Sequence, residues 1–419
     1  VRYPQLLSTN PARGLVVAVI IALAIAGAAP AAAAGSPGPS GIHAVPTRLA
    51  QAPHGASGVA PALSVPDEPL SEVEQLLEGL RRELGADFPA VNLRDLVNLL
   101  RGQGEGLDYR SFGAALAAYF AREIVANTRL LGSLLALVVM LAVLLALRSS
   151  FGDESAANIA YLVGCVVLAG LAISGLRIAL EAARDHIALT LDFMRALLPV
   201  LLSLLIAVGA VMSAGLFSPW LLFSTYAMAT LASTVVVPLT LVSAACEVVS
   251  ALGGRIKVTS VAALLRQVAV TVIGLSMTLF LGVMTVQSAA GSVADGVAFR
   301  TGKFLASSFI PVIGKMFGDA MEMVIGGSLV LKNAVGIAGG IAVFIMTALP
   351  ALKIAALILV YRVAASLAQP VADQQVVSCL DGIASCLTVV LLAVCGTGLA
   401  WFVSLVVLMG AGNAAVMMR

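Results

Sequence analysis

Apolar residues run almost unbroken from Leu130 to Met417, interrupted by short polar or Gly/Pro-containing stretches. A helix of about 20 apolar residues crosses the hydrocarbon of a bilayer. Segments that reach or approach this length are Leu130–Leu147, Ile159–Leu176, Leu197–Met212, Trp220–Val249, Val268–Val286, Leu329–Leu349, Ile354–Leu367 and Ile383–Met409. Trp220–Val249 reads as one tilted span kinked at Pro238. In hydrocarbon each backbone donor and acceptor must be satisfied within its own segment, so the pattern predicts an all-α, polytopic transmembrane helix bundle of about six to eight spans. Composition agrees: 60% of residues are hydrophobic, 11% are charged and the mean hydropathy is +1.04.

The first 127 residues follow a different pattern. Arg2 and Arg13 bracket a polar start, Leu15–Ala26 is an apolar core, and Ala31–Ala34 offers small residues for cleavage before Gly35. Residues 1–34 therefore read as a signal peptide. An uncleaved anchor is the alternative, and Pro30 favours cleavage because it ends the helix. Residues 35–69, rich in Pro, Ala and Gly, form a disordered linker outside the membrane. In residues 70–127, Leu70, Val73, Leu76, Leu77, Leu80 and Leu84 recur at helical spacing among acidic and basic positions, and Val91–Leu100 and Phe112–Val125 add two further apolar sets. This is a small extracytoplasmic region of amphipathic helices, each too short to be stable alone. Charge density marks its end near Thr128, with 20 charged residues in the first 127 and 26 in the remaining 292. Residues 128–419 then form the multi-spanning membrane domain.

Orientation is the difficulty. If Gly35 lies outside, the first span ends inside at Arg148, but strict alternation of the segments leaves Arg255, Lys257 and Arg266 outside, against the positive-inside tendency. Either Leu197–Met212 is a re-entrant hairpin or one boundary is misplaced. Ser292–Ile325 is a second anomaly. It is apolar enough to enter a membrane yet carries Asp295, Arg300, Lys303, Lys315, Asp319 and Glu322, with Gly302, Pro311, Gly314 and Gly318 interrupting any single helix. Lys315, Asp319 and Glu322 share one helical stripe. The segment reads either as an interfacial amphipathic helix or as broken half-helices lining a polar cavity. Lys332, just inside the next apolar run, can snorkel or face such a cavity, and Lys353 and Arg362 pose the same choice. Because an ionisable group at membrane depth needs a partner or water, Asp295, Arg300, Lys303, Lys315, Asp319, Glu322 and Lys332 are the candidates for a polar pathway or gate. Gly336 and Gly340 are spaced as helix-packing residues.

The balance of charges narrows function. Lys+Arg 24 against Asp+Glu 22 gives no basic field, so nucleic acid is not a partner. The five cysteines, Cys165, Cys246, Cys379, Cys386 and Cys395, lie in apolar surroundings without metal-type spacing, and read as packing residues. His43, His54 and His186 are scattered. Zinc-protease, nucleophile-elbow and phosphate-loop motifs are absent from the sequence, which points away from an enzyme and from any cofactor.

Four ordered blocks carry a resemblance. They are SVADGVAFRTGKFLASSFIPVIGKMFGDA (Ser292–Ala320), GSLVLKNAVGIAG (Gly327–Gly339), PALKIAALILVYRVAASLAQPVAD (Pro350–Asp373) and GNAAVMMR (Gly412–Arg419). In order and spacing the chain resembles the stage III sporulation protein AE family, most strongly over Val258–Arg419 and less so back to about Leu70. The resemblance implies an integral membrane component, made in the mother cell, of the trans-envelope feeding-tube complex that links mother cell and engulfed forespore. It implies the lipid bilayer and ring-forming proteins of that complex as partners, and leaves homo-oligomerisation open. It supplies no catalytic residue. A stand-alone secondary transporter of the cytoplasmic membrane is the alternative, since it would use the same intramembrane charges and broken helices. Its expected inverted repeat is not visible between Leu130–Val249 and Val268–Met409.

Overall fold

The structure is a computed structural model that describes residues 109–150, 154–252, 258–309 and 313–417, together with Gln75 and Glu78. The segments expected to be a signal peptide, a linker and the first two amphipathic sets lie outside the described residues, apart from those two helical positions. The described chain is helical, without strands: α1 (Tyr109–Ala126), α2 (Thr128–Ser150), α3 (Glu154–Ala207), α4 (Val211–Leu231), α5 (Val237–Leu252), α6 (Thr259–Phe309), α7 (Ile313–Ala368) and α8 (Gln374–Met417). Six stretches among the described residues are long and apolar enough to cross a membrane, with α1–α2 and α4–α5 each counted once. With the large apolar side chains that they leave exposed, they make this a multi-pass membrane protein whose exterior meets lipid.

Hydropathy alone divides two of these helices incorrectly. Ile159–Leu176 and the start of Leu197–Met212 belong to the single helix α3, because the charged residues between them lie on one outer face and leave the inner face apolar. Leu329–Leu349 and Ile354–Leu367 are likewise one helix, α7, which runs through Pro350. Leu197–Met212 also spans a true break. α3 ends where Gly209 takes φ 88°, a left-handed conformation that glycine adopts without a Cβ clash. The amides of Gly209 and Ala210 bond back to the carbonyls of Ile206 and Leu205 at 2.8 and 3.1 Å, closing a Schellman turn. Hydropathy passes over the break because Val208, Ala210, Val211 and Met212 are themselves apolar.

Between α4 and α5 the helix widens into one π-helical turn, Ala232–Val236, directly before Pro238. Proline has no N–H to continue the ladder, and the wider turn absorbs the defect without breaking the rod.

This segmentation changes which charges share an end of the bundle. α2 ends at the Arg148 end of the bundle, α3 runs away from it, and α4–α5 returns. The last turns of α5 and the first turns of α6, with Arg266, therefore lie at the same end as Arg148. Ser292–Ile325 is divided between the last turns of α6 and the first turns of α7, on either side of residues 310–312.

The most enclosed helix is α8, and the least enclosed segment is α1–α2. Around α8 lie α7, α6, α3, α5 and α4, and one apolar cluster joins α2, α3, α5, α7 and α8. Glycines set the closest approaches. A Cβ on Gly336 would meet Met409 at 2.5 Å, one on Gly339 would meet Leu197 at 2.5 Å, and one on Gly340 would touch Phe402 at 3.6 Å. On the other side of the α7–α8 seam Gly398 lies against Thr347, and Gly175 of α3 lies against the Tyr361 hydroxyl, which donates to the carbonyl of Ala172 at 2.8 Å. Gly398→Val is therefore expected to destabilise the detergent-solubilised protein by about 1–3 kcal/mol through overpacking. Gly274→Ala, where an added Cβ meets nothing within 4 Å, should be neutral or stabilising by about 0.5–1 kcal/mol. Thermal melting of the two variants beside the parent checks both signs.

Candidate functional site

A cavity of about 750 Å³ lies where α5, α6, α7 and α8 meet, at the end of the bundle that carries the α5–α6 and α7–α8 connections. Its walls are polar. Thr259, Ser260, Ser366, Ser378 and Ser385 supply hydroxyls, Gln369 and Gln374 amides, and Glu247, Arg266, Arg362 and Asp381 charges.

The charges form two pairs, each closing one helical hairpin. Arg266 at the start of α6 donates through Nη1 to Oε1 of Glu247 on α5 at 2.5 Å, and Arg362 near the end of α7 pairs with Asp381 near the start of α8. Partners are separated by 19 residues in both hairpins. Burial distinguishes them. The Arg266 and Glu247 side chains retain 19% and 5% of their exposure, those of Arg362 and Asp381 39% and 50%. Both pairs line the cavity, but the first is largely enclosed by protein while the second is open to it, where water weakens the attraction.

The enclosed pair is supported on all sides. Ser243 Oγ lies 3.4 Å from Arg266 Nη1 and donates to the Ala262 carbonyl at 2.9 Å, tying α5 to α6 a second time. Cys386 of α8 places its Sγ 3.6 Å from Ser243 Oγ and 3.9 Å from Arg266 Nη1. Gly382, one turn earlier on α8, admits the Glu247 carboxylate, because a Cβ there would stand 2.6 Å from Glu247 Cδ. Cys386 thus packs against the site, and the small residue at 382 is required by the charge that it covers. Chemically the cavity can hold water or a small hydrophilic solute. Ser385 Oγ donates to the carbonyl of Asp381 at 2.9 Å and lies 3.5 Å from Arg362 Nη2.

Of the residues singled out from sequence, Asp295 and Lys332 lie away from the cavity and make separate contacts. Asp295 on α6 is buried, and its carboxylate accepts from the backbone amides of Met212 at 2.8 Å and Ser213 at 3.2 Å, at the start of α4. Arg300 is exposed on α6 and Lys303 follows it one turn later, while Lys315, Asp319 and Glu322 occupy the first turns of α7. Lys332 is fully buried in the α7–α8 seam, where its ammonium donates to the carbonyl of Met409 at 2.8 Å and to Asn413 Oδ1 at 3.3 Å, both neutral oxygens. Asp295 and Lys332 thus lie at the end of the bundle opposite the cavity. Of the charges weighed in sequence, Arg266 and Arg362 reach it.

Glu247 and Asp381 were not identified as site residues from sequence. The signal was present: each is a lone carboxylate in or beside an apolar run, and each lies 19 residues from an arginine in the neighbouring run.

A sequence profile of the family described as Stage III sporulation protein AE matches residues 91–412, which include every residue lining the cavity. Stage III sporulation protein AE of Bacillus subtilis (strain 168) is 34% identical to this chain over 348 residues, covering 83% of this chain and 87% of that protein. No solved structure matches the chain.

Proposed function

Because this chain belongs to the Stage III sporulation protein AE family, it is a multi-pass sporulation membrane protein, and we propose that it is the integral membrane component of the trans-envelope channel joining mother cell and forespore. The observation that carries this reading is the extent of the family match, which takes in the helices of the bundle and the cavity rather than one motif. A helical bundle alone would not identify a function.

In this reading the bundle sits in the mother-cell membrane facing the forespore. The end holding Arg148 and Arg266 faces the mother-cell cytoplasm, as follows if a signal peptide places Gly35 outside. The cavity then opens to the cytoplasm. The amphipathic residues 70–127 lie between the two membranes, where they meet the ring-forming proteins of the complex. The family is a sporulation membrane component and not a known enzyme class, and the role proposed is accordingly non-enzymatic. A stand-alone transporter would draw on the same cavity, and physiology separates the two readings.

Deletion of the gene in its spore-forming host is expected to abolish heat-resistant spores. Forespores should arrest and shrink after engulfment while vegetative growth is unchanged, as followed by membrane dye in the same cells. Normal spores would sink the channel reading and leave the transporter.

A further inference from the structure

α3 carries a feature that the cavity does not explain. Along its outer face the residues are apolar from Ile159 to Ile173, with Leu162, Val163, Val166 and Val167 exposed, as a helix against lipid should be. From Arg177 to Arg195 the same face is charged: Arg177, Glu181, Arg184, Asp185, Asp192 and Arg195 are all exposed. At roughly 100° per residue the six fall within a sector of about 100°. Arg177 pairs with Glu181 at 2.8 Å and Arg195 with Asp192 at 3.1 Å, and both pairs remain open, the first with 79% and 55% of its side-chain exposure. The opposite face of the same turns is buried, with Ala183, Ile187, Met194 and Leu197 in the core.

The depth of this stripe follows from contacts across the bundle. His186, in its middle turns, uses Nδ1–H to donate to the Met346 carbonyl at 3.0 Å and lies 6.0 Å from the Trp401 ring. One residue further along α7, Thr347 abuts Gly398 of α8, and a Cβ on Gly396 of α8 would stand 3.2 Å from Ile273 of α6. Ile273, Thr397 and Met228 of α4 line one small gap. A single level therefore passes through His186, Met346, the centre of α8, Ile273 and Met228. On the α4 and α6 side the exterior here is apolar, with Phe223, Tyr226, Leu275 and Leu279 exposed. On the α3 side, at that level, it is charged. Even where paired, ionised groups this exposed are too costly to face hydrocarbon without water, so one flank of the bundle meets lipid and the other does not.

We infer that the charged stripe of α3 faces water at the depth of the bilayer and forms one wall of an aqueous passage. Its three arginines and three carboxylates balance, so the wall suits small hydrophilic solutes without selecting strongly for either sign of charge. The inference rests on the bundle lying in a bilayer and not on its place in a sporulation complex.

The test places single cysteines at two positions of equal depth in the full chain. Ala188→Cys lies on the exposed stripe, and Leu275→Cys lies on the lipid-facing side of α6, where the native side chain is 59% exposed. The native cysteines are buried or half-buried, and the parent sets the background. In proteoliposomes with a charged maleimide on both faces, Ala188→Cys should label at least about tenfold faster than Leu275→Cys, because the reactive thiolate forms in water and not in hydrocarbon. Equal, rapid labelling would put the whole level outside the bilayer. Equal protection would mean that the stripe is covered. Either result overturns the inference.

Discussion

Glu247→Ala is expected to destabilise the protein by about 3–5 kcal/mol, the effect of leaving one member of an enclosed ion pair without its partner. The guanidinium of Arg266 would remain among Ser243, Ala262 and Cys386, which offer it one weak hydroxyl contact and a sulfur. Arg362→Ala should lose only about 0–1 kcal/mol, because that pair keeps much of its exposure and its attraction is screened. Thermal melting in detergent measures both, and steady-state membrane levels give the same order in cells. The double variant Glu247→Leu/Arg266→Met replaces the pair by apolar side chains and should recover most of the stability. It therefore separates fastening from function. If it is stable but no longer supports heat-resistant spores, the polarity of the cavity is what the complex uses. If it sporulates as the parent does, the pair only fastens α5 to α6 and the cavity is not the functional site. An Arg362→Ala variant as unstable as Glu247→Ala would show that the cavity is dry.

The two hairpin pairs also explain why the fold was more legible in the sequence than the site. Long apolar runs dictate helices through backbone hydrogen bonding alone, and the glycine at 336 marks a seam because a Cβ there would collide with Met409. What a linear reading lacks is the sideways dimension. The stretch Arg177–Arg195 lowers the local hydropathy of α3 and looks like a boundary, whereas in three dimensions its charges occupy one outward sector while Ala183, Ile187 and Met194 continue the core. Gly209 works in the opposite sense, ending a helix inside an apolar run by its backbone conformation rather than its polarity.

Sequence draws attention to Ser292–Ile325 because charges cluster there, but it does not show pairs formed across a hairpin, where two residues of α5 and α6 similarly distant from their connection meet. Glu247 with Arg266, and Arg362 with Asp381, are brought together by hairpin geometry.

Asp295→Ala is the second variant with a large expected effect, about 1–3 kcal/mol, from the loss of charge-assisted hydrogen bonds to buried backbone amides. α4 begins after Ala210, which offers no side-chain acceptor of its own. Its first amides would be left without partners, and Asp295 reaches across from α6 to accept from Met212 and Ser213. Gly291, one turn before Asp295, lets Ser213 approach, since a Cβ there would stand 2.6 Å from Ser213 Oγ. The carboxylate also complements the positive end of the α4 dipole. Asp295→Asn keeps an acceptor without the charge and should fall between Ala and the parent in thermal melting. Amide exchange at Met212 and Ser213 should accelerate in the same order, because those two N–H groups lose the bond. A second-site change decides what the carboxylate is for. Ala210→Ser in the Asp295→Ala background places a local acceptor at the N-cap of α4, a position where serine restores about 1 kcal/mol. Recovery of both melting temperature and heat-resistant spores would make Asp295 a cap lent by one helix to another. Recovery of stability without spores would return Asp295 to the polar pathway that its sequence context first suggested. An Asp295→Ala variant that melts and exchanges like the parent would remove the cap from the account of why α3 and α4 part at Gly209.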